Sequence, residues 1–195
     1  MKIAILAVQG AFVEHEKALS RLGVETIELR KQKDLETEFD ALILPGGEST
    51  VQGKLLKELG MFEDLKQRIE SGLPTMATCA GVILLAETLT NDDRTYFKTL
   101  PVSVVRNAYG RQLGSFYHRG NLKNIGGFDM EFIRAPFIEN ASPECDILGT
   151  VDGKIVAVQY KKQLAFTFHP ELTDSLAVHQ YFCRKLVNSP SISSF

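Results

Sequence analysis

The sequence predicts a single-domain α/β protein built on an open sheet that is mostly parallel and carries added antiparallel strands. Through the first half of the 195 residues, short buried apolar runs alternate with helical patterns, which is typical of βαβ units in a parallel sheet. After about residue 95 the pattern changes to short strands, some joined by glycine turns, which indicates the additions. No repeat or linker divides the chain, so we expect one domain over 1–187 and a loose tail over 188–195.

The elements of the first half follow from their apolar patterns. The run at 2–8 predicts a buried first strand, and helical spacing from Ala11 to Leu22 ends at Gly23. The other predicted elements of this half are strands at 24–29, 41–44 and 74–78 and helices at about 50–59, 62–71 and 80–88.

The second half is predicted to be mainly short strands closed by one helix. Asp152-Gly153, between two of these strands, is a strong hairpin signal. The predicted elements are strands at 102–105, 113–117, 130–133, 147–151, 155–160 and 164–168 and a helix at 175–187.

Composition excludes several classes of protein. The net charge of −2 gives no electrostatic reason to expect nucleic acid or an anionic membrane as partner. No apolar stretch approaches the roughly 20 residues that a membrane span needs, and the amino terminus lacks a cleavage pattern. The three cysteines have no CxxC spacing, which argues against a disulfide framework or a zinc site. We therefore expect a cytoplasmic protein without a bound metal.

Three polar features follow predicted core strands. They are Pro45-Gly46-Gly47-Glu48-Ser49-Thr50 after the third strand, Cys79 after the fourth, and His169-Pro170-Glu171 after the last. Ligands of open α/β sheets sit outside the carboxyl ends of the strands. The sequence therefore predicts that these groups converge at one edge of the sheet.

Cys79 lies in Thr78-Cys79-Ala80-Gly81, between a short buried strand and an apolar helix. A nucleophile at such an elbow stands exposed beside the positive end of a helix, where a thiolate is stabilised. The alternative is that Cys79 is a small buried hydrophobic residue. The small residues on both sides favour the nucleophile, whereas Cys145 and Cys183 lack such a setting and are interpreted as structural.

His169 and Glu171 form a candidate base and orienting carboxylate. In an extended segment, side chains two positions apart point to the same side, and Pro170 helps to hold them in register. Glu171 could then bind one ring nitrogen and leave the other facing sulfur, as in a catalytic triad. The alternative is a histidine that caps the end of a strand. The other histidines lack a comparable partner, and the one on the last helix is predicted to be a surface or packing residue (His15, His118 and His179).

The loop Pro45-Gly46-Gly47-Glu48-Ser49-Thr50 admits two interpretations. Its two glycines allow backbone amides to approach a ligand, so the loop could form an oxyanion hole. A phosphate-binding loop is excluded because the spacing to Gly53-Lys54 is wrong and Leu55 stands where Ser or Thr should bind magnesium. The other interpretation is a plain turn in which Ser49 or Thr50 caps the next helix, which is compatible with the oxyanion role.

Two further segments carry arginines that could bind a substrate α-carboxylate. A guanidinium fork matches the two oxygens of a carboxylate, so Arg106 in the polar segment 106–112 is a candidate clamp. Ile133-Arg134-Ala135-Pro136 offers a second candidate, through side chain or backbone. A solvated turn is the alternative for the segment at Arg106.

Six segments together resemble one known family. The sequence is similar over residues 1 to about 187 to the glutaminase subunit of pyridoxal 5′-phosphate synthase, the PdxT/SNO family of class I triad glutamine amidotransferases. The resemblance implies a flavodoxin-like open sheet of the class I glutamine amidotransferase type. The segments are Gln9-Gly10, Pro45 to Thr50, Thr78 to Gly81, Arg106 to Gln112, Phe132 to Pro136 and Phe168 to Thr173.

The resemblance implies hydrolysis of L-glutamine to L-glutamate and ammonia without a cofactor. It also implies that the ammonia passes to a separate (β/α)₈ barrel synthase subunit for vitamin B6 biosynthesis. By resemblance Cys79 is the nucleophile, His169 the acid/base and Glu171 its orienting carboxylate, and Gln9 faces the synthase and helps to set the oxyanion loop. The implied substrate-binding residues, counting the loop glycines, are Gly46, Gly47, Glu48, Ser49, Arg106, Ile133 and Arg134.

Two alternatives stay open at this point. The chain could be the glutaminase subunit of another amidotransferase complex, since the same triad would serve. It could also be a non-hydrolytic relative whose elbow cysteine is a redox or chaperone site, although such a protein would not need the pair His169 and Glu171.

Overall fold

A computed structural model describes residues 1–106 and 114–187, and the core of this part is a ten-stranded sheet. A separate two-stranded ribbon packs beside it. The strands are β1 (Lys2–Leu6), β2 (Glu25–Leu29), β3 (Ala41–Leu44), β4 (Thr75–Thr78), β5 (Ala86–Leu89), β6 (Leu100–Val105), β7 (Ser115–Leu122), β8 (Gly126–Ile133), β9 (Phe137–Ala141), β10 (Asp146–Val151), β11 (Lys154–Tyr160) and β12 (Gln163–Phe166).

Helices cover the sheet. They are α1 (Phe12–Arg21), α2 (Ser49–Glu58), α3 (Phe62–Glu70), α4 (Ala80–Leu85) and α5 (Ala177–Tyr181), with 3₁₀ turns at Gln32–Glu36 and Pro170–Leu172 and a π-helical turn at Phe182–Val187. Within the described part of the chain, no helix is both long and apolar enough to cross a bilayer.

The sheet order is β2-β1-β3-β4-β12-β11-β9-β6-β5, with β10 also paired to β11. The first five strands in this order run parallel, and β12 takes the fifth position of a flavodoxin-like 2-1-3-4-5 arrangement. β11 joins β12 in antiparallel fashion, and β9 and β10 join β11 likewise. The predicted mostly parallel sheet with antiparallel additions is confirmed.

The two faces of the sheet carry separate apolar layers, which the alternation along β1 illustrates. Ala4 and Leu6 pack in the layer that contains buried residues of α2, α3 and α4. Ile3 and Ile5 pack in the opposite layer, with buried residues of α1, α5 and the β7–β8 ribbon. Successive strand residues point to opposite faces, so a continuous apolar strand is buried on both sides.

One predicted boundary is wrong, and one strand was not predicted. The helix predicted at 80–88 ends at Leu85, because the chain turns extended at Ala86 and continues as β5, which pairs in parallel with β6. The strand β9 was not predicted, because polar Glu139 and Asn140 interrupt its apolar pattern. Backbone pairing with β6 and β11 supplies the stabilisation that the side-chain pattern does not show.

Other predicted elements need smaller corrections. The closing helix begins at Ala177 and changes to a π-helical turn at Phe182. The Asp152-Gly153 hairpin is confirmed, with the positive φ values of 48° and 74° that a type I′ turn requires. Leu113, predicted to start a strand, lies outside the described residues, as do the segment 107–112 and the tail 188–195.

The crossing of α4 over β3 depends on Gly81. A Cβ added at Gly81 would lie 2.2 Å from the carbonyl oxygen of Leu44, a distance that no real Cβ contact tolerates. A buried backbone carbonyl cannot move aside as a flexible side chain can. Gly81 therefore lets α4 pack closely on the sheet directly after Cys79.

We expect Gly81→Ala to lower the free energy of unfolding by about 1–3 kcal/mol, because the methyl group overpacks this crossing. Urea denaturation measures the change. Gly127→Ala is the matched control: Gly127 is exposed, and nothing lies within 4 Å of an added Cβ. Its expected effect is below about 0.5 kcal/mol. Equal effects of the two substitutions would contradict this account of the crossing.

Candidate active site

Cys79 occupies a strained backbone conformation between β4 and α4. Its φ of 46° and ψ of −103° are rare for a residue with a side chain, and such strain costs about 1–3 kcal/mol. The amide of Cys79 donates a 2.8 Å hydrogen bond to the carbonyl of Phe166, which ties the elbow to the end of β12. The predicted strand–turn–helix elbow is present.

His169 and Glu171 lie just beyond β12. The His169 amide donates to the carbonyl of Glu131 at 2.8 Å, and its ring Nδ1 lies 2.7 Å from Glu171 Oε1. The segment Pro170–Leu172 is a 3₁₀ turn, whereas the sequence predicts an extended segment. The two side chains still meet, because the turn brings the carboxylate back under the ring.

Cys79 and the ring of His169 line the same cavity, and a Cβ added at Gly46 would lie 2.3 Å from His169 Cε1 and 3.3 Å from Cys79 Cβ. Sulfur, imidazole and carboxylate are therefore neighbours in one connected series. Burial by itself lowers the pKa of His169, but the nearby Cys79 and the hydrogen-bonded carboxylate of Glu171 outweigh it and raise the pKa to about 10. The ring is therefore protonated at neutral pH. A protonated imidazole beside sulfur is the setting in which a thiolate is stabilised.

The loop after β3 is built against the end of β1. A Cβ added at Gly47 would lie 2.4 Å from Gln9 Oε1 and 3.0 Å from the Cα of Gly10, so a side chain there would displace Gln9. The Gly46 carbonyl accepts a 2.9 Å hydrogen bond from the Ala11 amide, and the Glu48 amide donates to Gln9 Oε1 at 2.7 Å. Gln9 thus holds the loop in place.

The two loop amides differ in availability. The Gly46 amide donates to Thr78 Oγ1 at 3.0 Å, so in this arrangement it is not free for a substrate oxyanion. Among the described residues, the Gly47 amide has no hydrogen-bond partner. The Ala80 amide, first in α4, has no partner within the helix. The amides of Gly47 and Ala80 are therefore the better candidates for binding a substrate oxyanion. Of the two loop glycines, only Gly46 has its amide bound to another group.

Capping of α2 differs from the prediction. The cap is Glu48, whose carboxylate accepts from the Thr50 amide at 3.3 Å. Ser49 is the first helical residue, and its buried hydroxyl has no partner among the described residues.

Arg106 lies beside the loop and does not line the cavity next to Cys79. Its guanidinium pairs with Asp92 and with Glu48, at 3.3 Å from Glu48 Oε1, and reaches Thr50 Oγ1 at 3.2 Å. The hydrogen bonds of Arg94, and then of Arg106, hold the pKa of Asp92 well below its usual range. The arginine therefore sits in a network of charges at the rim.

A cavity of about 320 Å³ opens in front of the sulfur. Its size is at the small end of ligand pockets. Besides Arg106, two predicted site residues do not line the cavity: Glu171 lies behind His169, and Ser49 lies at the start of α2. The residues that line the cavity are Gln9, Gly10, Ala11, Gly46, Gly47, Glu48, Cys79, Ile133, Arg134, His169 and Leu172.

The end of β8 forms the opposite wall. The sulfur of Cys79 lies 4.0 Å from the carbonyl oxygen of Ile133. Arg134 has a φ of 44°, a strained value that turns the backbone at the cavity wall, and its side chain is exposed. Within residues 1–106 and 114–187, no group of three or more His, Cys, Asp or Glu side chains is arranged to hold a metal ion.

Two other histidines have polar partners that the sequence interpretation did not give them, and the packing alternative for His179 is confirmed. His15 and His179 are fully buried, and His15 Nδ1 lies 3.0 Å from His179 Nε2. His15 Nε2 lies 3.2 Å from Thr78 Oγ1 and 3.5 Å from Glu171 Oε2. A signal was present in the sequence: Phe12, His15 and Leu19 share the helical spacing of the buried face of α1.

Comparison with known proteins now decides the family. The model of the SNO glutamine amidotransferase family matches residues 5–188. The chain belongs to this family. A Desulfitobacterium hafniense protein named pyridoxal 5′-phosphate synthase subunit PdxT is 58% identical over 182 residues, which cover 93% of this chain and 92% of that protein.

Two further similarities agree with the family. A Haemophilus influenzae protein of the same name is 52% identical, and the match covers 93% of this chain and 96% of that protein. A crystal structure of a glutamine amidotransferase has a TM-score of 0.88 and 40% identity, covering 93% of this chain and 97% of that one. The class I glutamine amidotransferase fold expected from the resemblance is confirmed.

The raised pKa of His169 predicts a measurable titration. We expect the His169 ring in the wild type to titrate near pH 10 by NMR. Glu171→Gln should lower that midpoint by about 1–3 pH units, because the hydrogen-bonded negative charge is lost. Because the native pKa exceeds the unfolded value of about 6.5, protonation stabilises the fold fully below pH 6.5, and this stabilisation is lost as pH rises through about 10.

The control for this titration is Glu144→Gln, which removes an exposed carboxylate away from the cavity and should leave the midpoint unchanged. A wild-type midpoint near the ordinary histidine value would contradict the connected series of Cys79, His169 and Glu171.

Proposed function

We propose that the protein hydrolyses L-glutamine to L-glutamate and ammonia through a thioester on Cys79, as the glutaminase subunit of a pyridoxal 5′-phosphate synthase. The observation that carries the proposal is that Cys79 and His169 line one small cavity, with Glu171 bound to the ring of His169 from behind. Membership of the glutamine amidotransferase family and the names of the relatives at 50–58% identity support it. We assign residues 1–187 to the glutaminase domain.

The reaction follows from the roles of three groups. The thiolate of Cys79 attacks the side-chain amide carbon of glutamine, forming a carbon–sulfur bond. The amides of Gly47 and Ala80 stabilise the oxyanion, and each such donor contributes about 10²–10³ in rate. Protonated His169 gives its proton to the departing ammonia, which leaves a glutamyl thioester. Neutral His169 then takes a proton from water, which attacks the thioester and releases glutamate.

Substrate recognition is assigned to the rim of the cavity. Arg106 supplies a fork for the α-carboxylate of glutamine, and its present pairing with Glu48 keeps it beside the loop. Gly47, Glu48 and Ser49 bind along the loop after β3, and Ile133 and Arg134 bind from the end of β8. Of these groups, Gly47, Glu48, Ile133 and Arg134 line the cavity, which would hold a small amino acid with its amide toward sulfur.

The proposed partner is a barrel-type synthase subunit that receives the ammonia, and Gln9 is proposed to face it. Gln9 accepts from the Glu48 amide, so a partner that moves Gln9 would move the loop. In this structure the Gly46 amide is bound to Thr78. Docking would then shift the population of loop conformers toward one that binds the oxyanion. We place the reaction in the cytoplasm, where thiols stay reduced, in agreement with the free cysteines.

The nucleophile is tested by ammonia release from glutamine, with and without the synthase subunit. Cys79→Ala should reduce the rate by more than about 10³-fold, as expected for loss of one member of a triad. Cys145→Ala, a partly buried thiol away from the cavity, should retain wild-type activity. Full activity of the Cys79→Ala protein would exclude the thioester mechanism, and strong activity of the isolated wild-type chain would exclude activation by docking.

The clamp is tested by Arg106→Gln. We expect KM for glutamine to rise about 10- to 100-fold, the equivalent of one charge-assisted hydrogen bond of about 1.5–3 kcal/mol. Steady-state kinetics of the assembled complex measures it. Arg119→Gln removes an exposed arginine from β7 and should leave KM unchanged. An unaltered KM for Arg106→Gln would show that another group binds the α-carboxylate of glutamine.

A further inference from the structure

A chain of buried polar side chains extends behind the triad and takes no part in the proposed bond-making steps. It runs from His179 on α5 through His15 on α1 to Thr78 and Glu171. Both histidines are fully buried. Buried polar groups are costly unless they are hydrogen-bonded, so the protein keeps this chain in an otherwise apolar layer at some cost.

Both histidines are neutral. Burial, then the charges of His179 and His169, hold the pKa of His15 well below its ordinary value. Burial lowers the pKa of His179 to about 4. A neutral imidazole carries one N–H, so each ring must place its single proton on one of two nitrogens.

The neighbours of His15 select the tautomer. Its Nε2 lies 3.5 Å from Glu171 Oε2, and that buried oxygen accepts no hydrogen bond among the described residues. A ring lone pair directed at the carboxylate would be repelled, whereas an N–H there is attracted. The proton therefore belongs on Nε2 of His15.

The neighbour behind His15 leads to the same tautomer. With Nε2 protonated, His15 Nδ1 accepts from the Nε2–H of His179, 3.0 Å away. The reverse arrangement would put the proton of His179 on its Nδ1, a buried atom without a partner in the described part of the chain. The favoured arrangement leaves only a lone pair at that atom, and an orphaned buried N–H is rarer in proteins than an orphaned acceptor.

We propose that His15 is a positioning residue for the glutaminase reaction, with its Nε2–H shared between Glu171 Oε2 and the hydroxyl of Thr78 and its tautomer set by His179. Glu171 orients the ring of His169, and Thr78 holds the Gly46 amide. One side chain therefore connects the triad to the oxyanion loop. Only the kinetic test of this inference rests on the proposed function.

The position of His15 in α1 links it to the residues that hold the oxyanion loop. The helix starts immediately after Gln9, Gly10 and Ala11, whose atoms hold the loop from the other side. A shift of α1 would therefore move His15 together with the groups that contact Gly46 and Glu48. Docking at Gln9 would reach Glu171 through the same helix.

The kinetic test compares His15→Leu with His15→Gln in the complex with the synthase subunit. Leucine removes the donor at similar volume, and we expect kcat to fall about 10- to 100-fold with KM nearly unchanged, because misplacement of a triad by less than 1 Å has effects of this size. Glutamine returns a neutral N–H donor, so His15→Gln should recover most of the lost kcat. His118→Leu, on β7 and not lining the cavity, is the control and should match the wild type.

Equal losses for both variants, or a loss in KM alone, would overturn the positioning role. The tautomer is tested separately, in the wild-type chain, by the ¹⁵N chemical shifts of the His15 ring. A protonated Nε2 and an unprotonated Nδ1 are expected. A protonated Nδ1 would overturn the inference even if every His15 variant fails to fold.

The two proposals fail in different ways. If the wild-type complex releases no ammonia from glutamine, the proposed function is wrong, and the nitrogen shifts still decide whether His15 directs its N–H at Glu171. If the wild type is active and His15→Leu is as active, the function stands and the positioning role is wrong.

Discussion

The left-handed backbone of Cys79 is the constraint on which the rest of the site depends. A residue with a side chain adopts φ near 46° only when its surroundings hold it there. The carbonyl of Phe166 fixes the amide of Cys79, and the close fit of Gly81 against Leu44 fixes the helix that follows. Together they direct the sulfur into the cavity and place the first amide of α4 beside it.

The buried charges of this site are stabilised by hydrogen bonds within the protein in place of hydrogen bonds to water. A protonated His169 is stable in a buried position only because sulfur lies on one side and Glu171 on the other. The carboxylate in turn lies beside the neutral ring of His15. The polar groups therefore form one layer between α1 and the ends of β4 and β12, and a shift of α1 can reach Glu171 and the ring of His169 through contacts of 3.5 and 2.7 Å.

Local chemistry made most of the fold and the centre of the site predictable from the sequence. The parallel half and the Asp152-Gly153 hairpin follow from alternation and turn residues, and the elbow follows from the small residues around Cys79. The strand β9 was missed because its stability comes from pairing with distant strands. The partners of His15 were missed for the same reason: they lie 63, 156 and 164 residues away in sequence, and only the folded sheet brings them together.

The most direct test of the central claim is mass spectrometry of the complex with the synthase subunit, quenched with acid during turnover of glutamine. The account predicts a glutamyl group on Cys79 that disappears when glutamine is exhausted and is absent from the Cys79→Ala protein. The His169→Ala variant should accumulate no adduct. Rapid release of ammonia by the wild type without any adduct on Cys79 would show that water attacks glutamine directly. That result would contradict the thioester account.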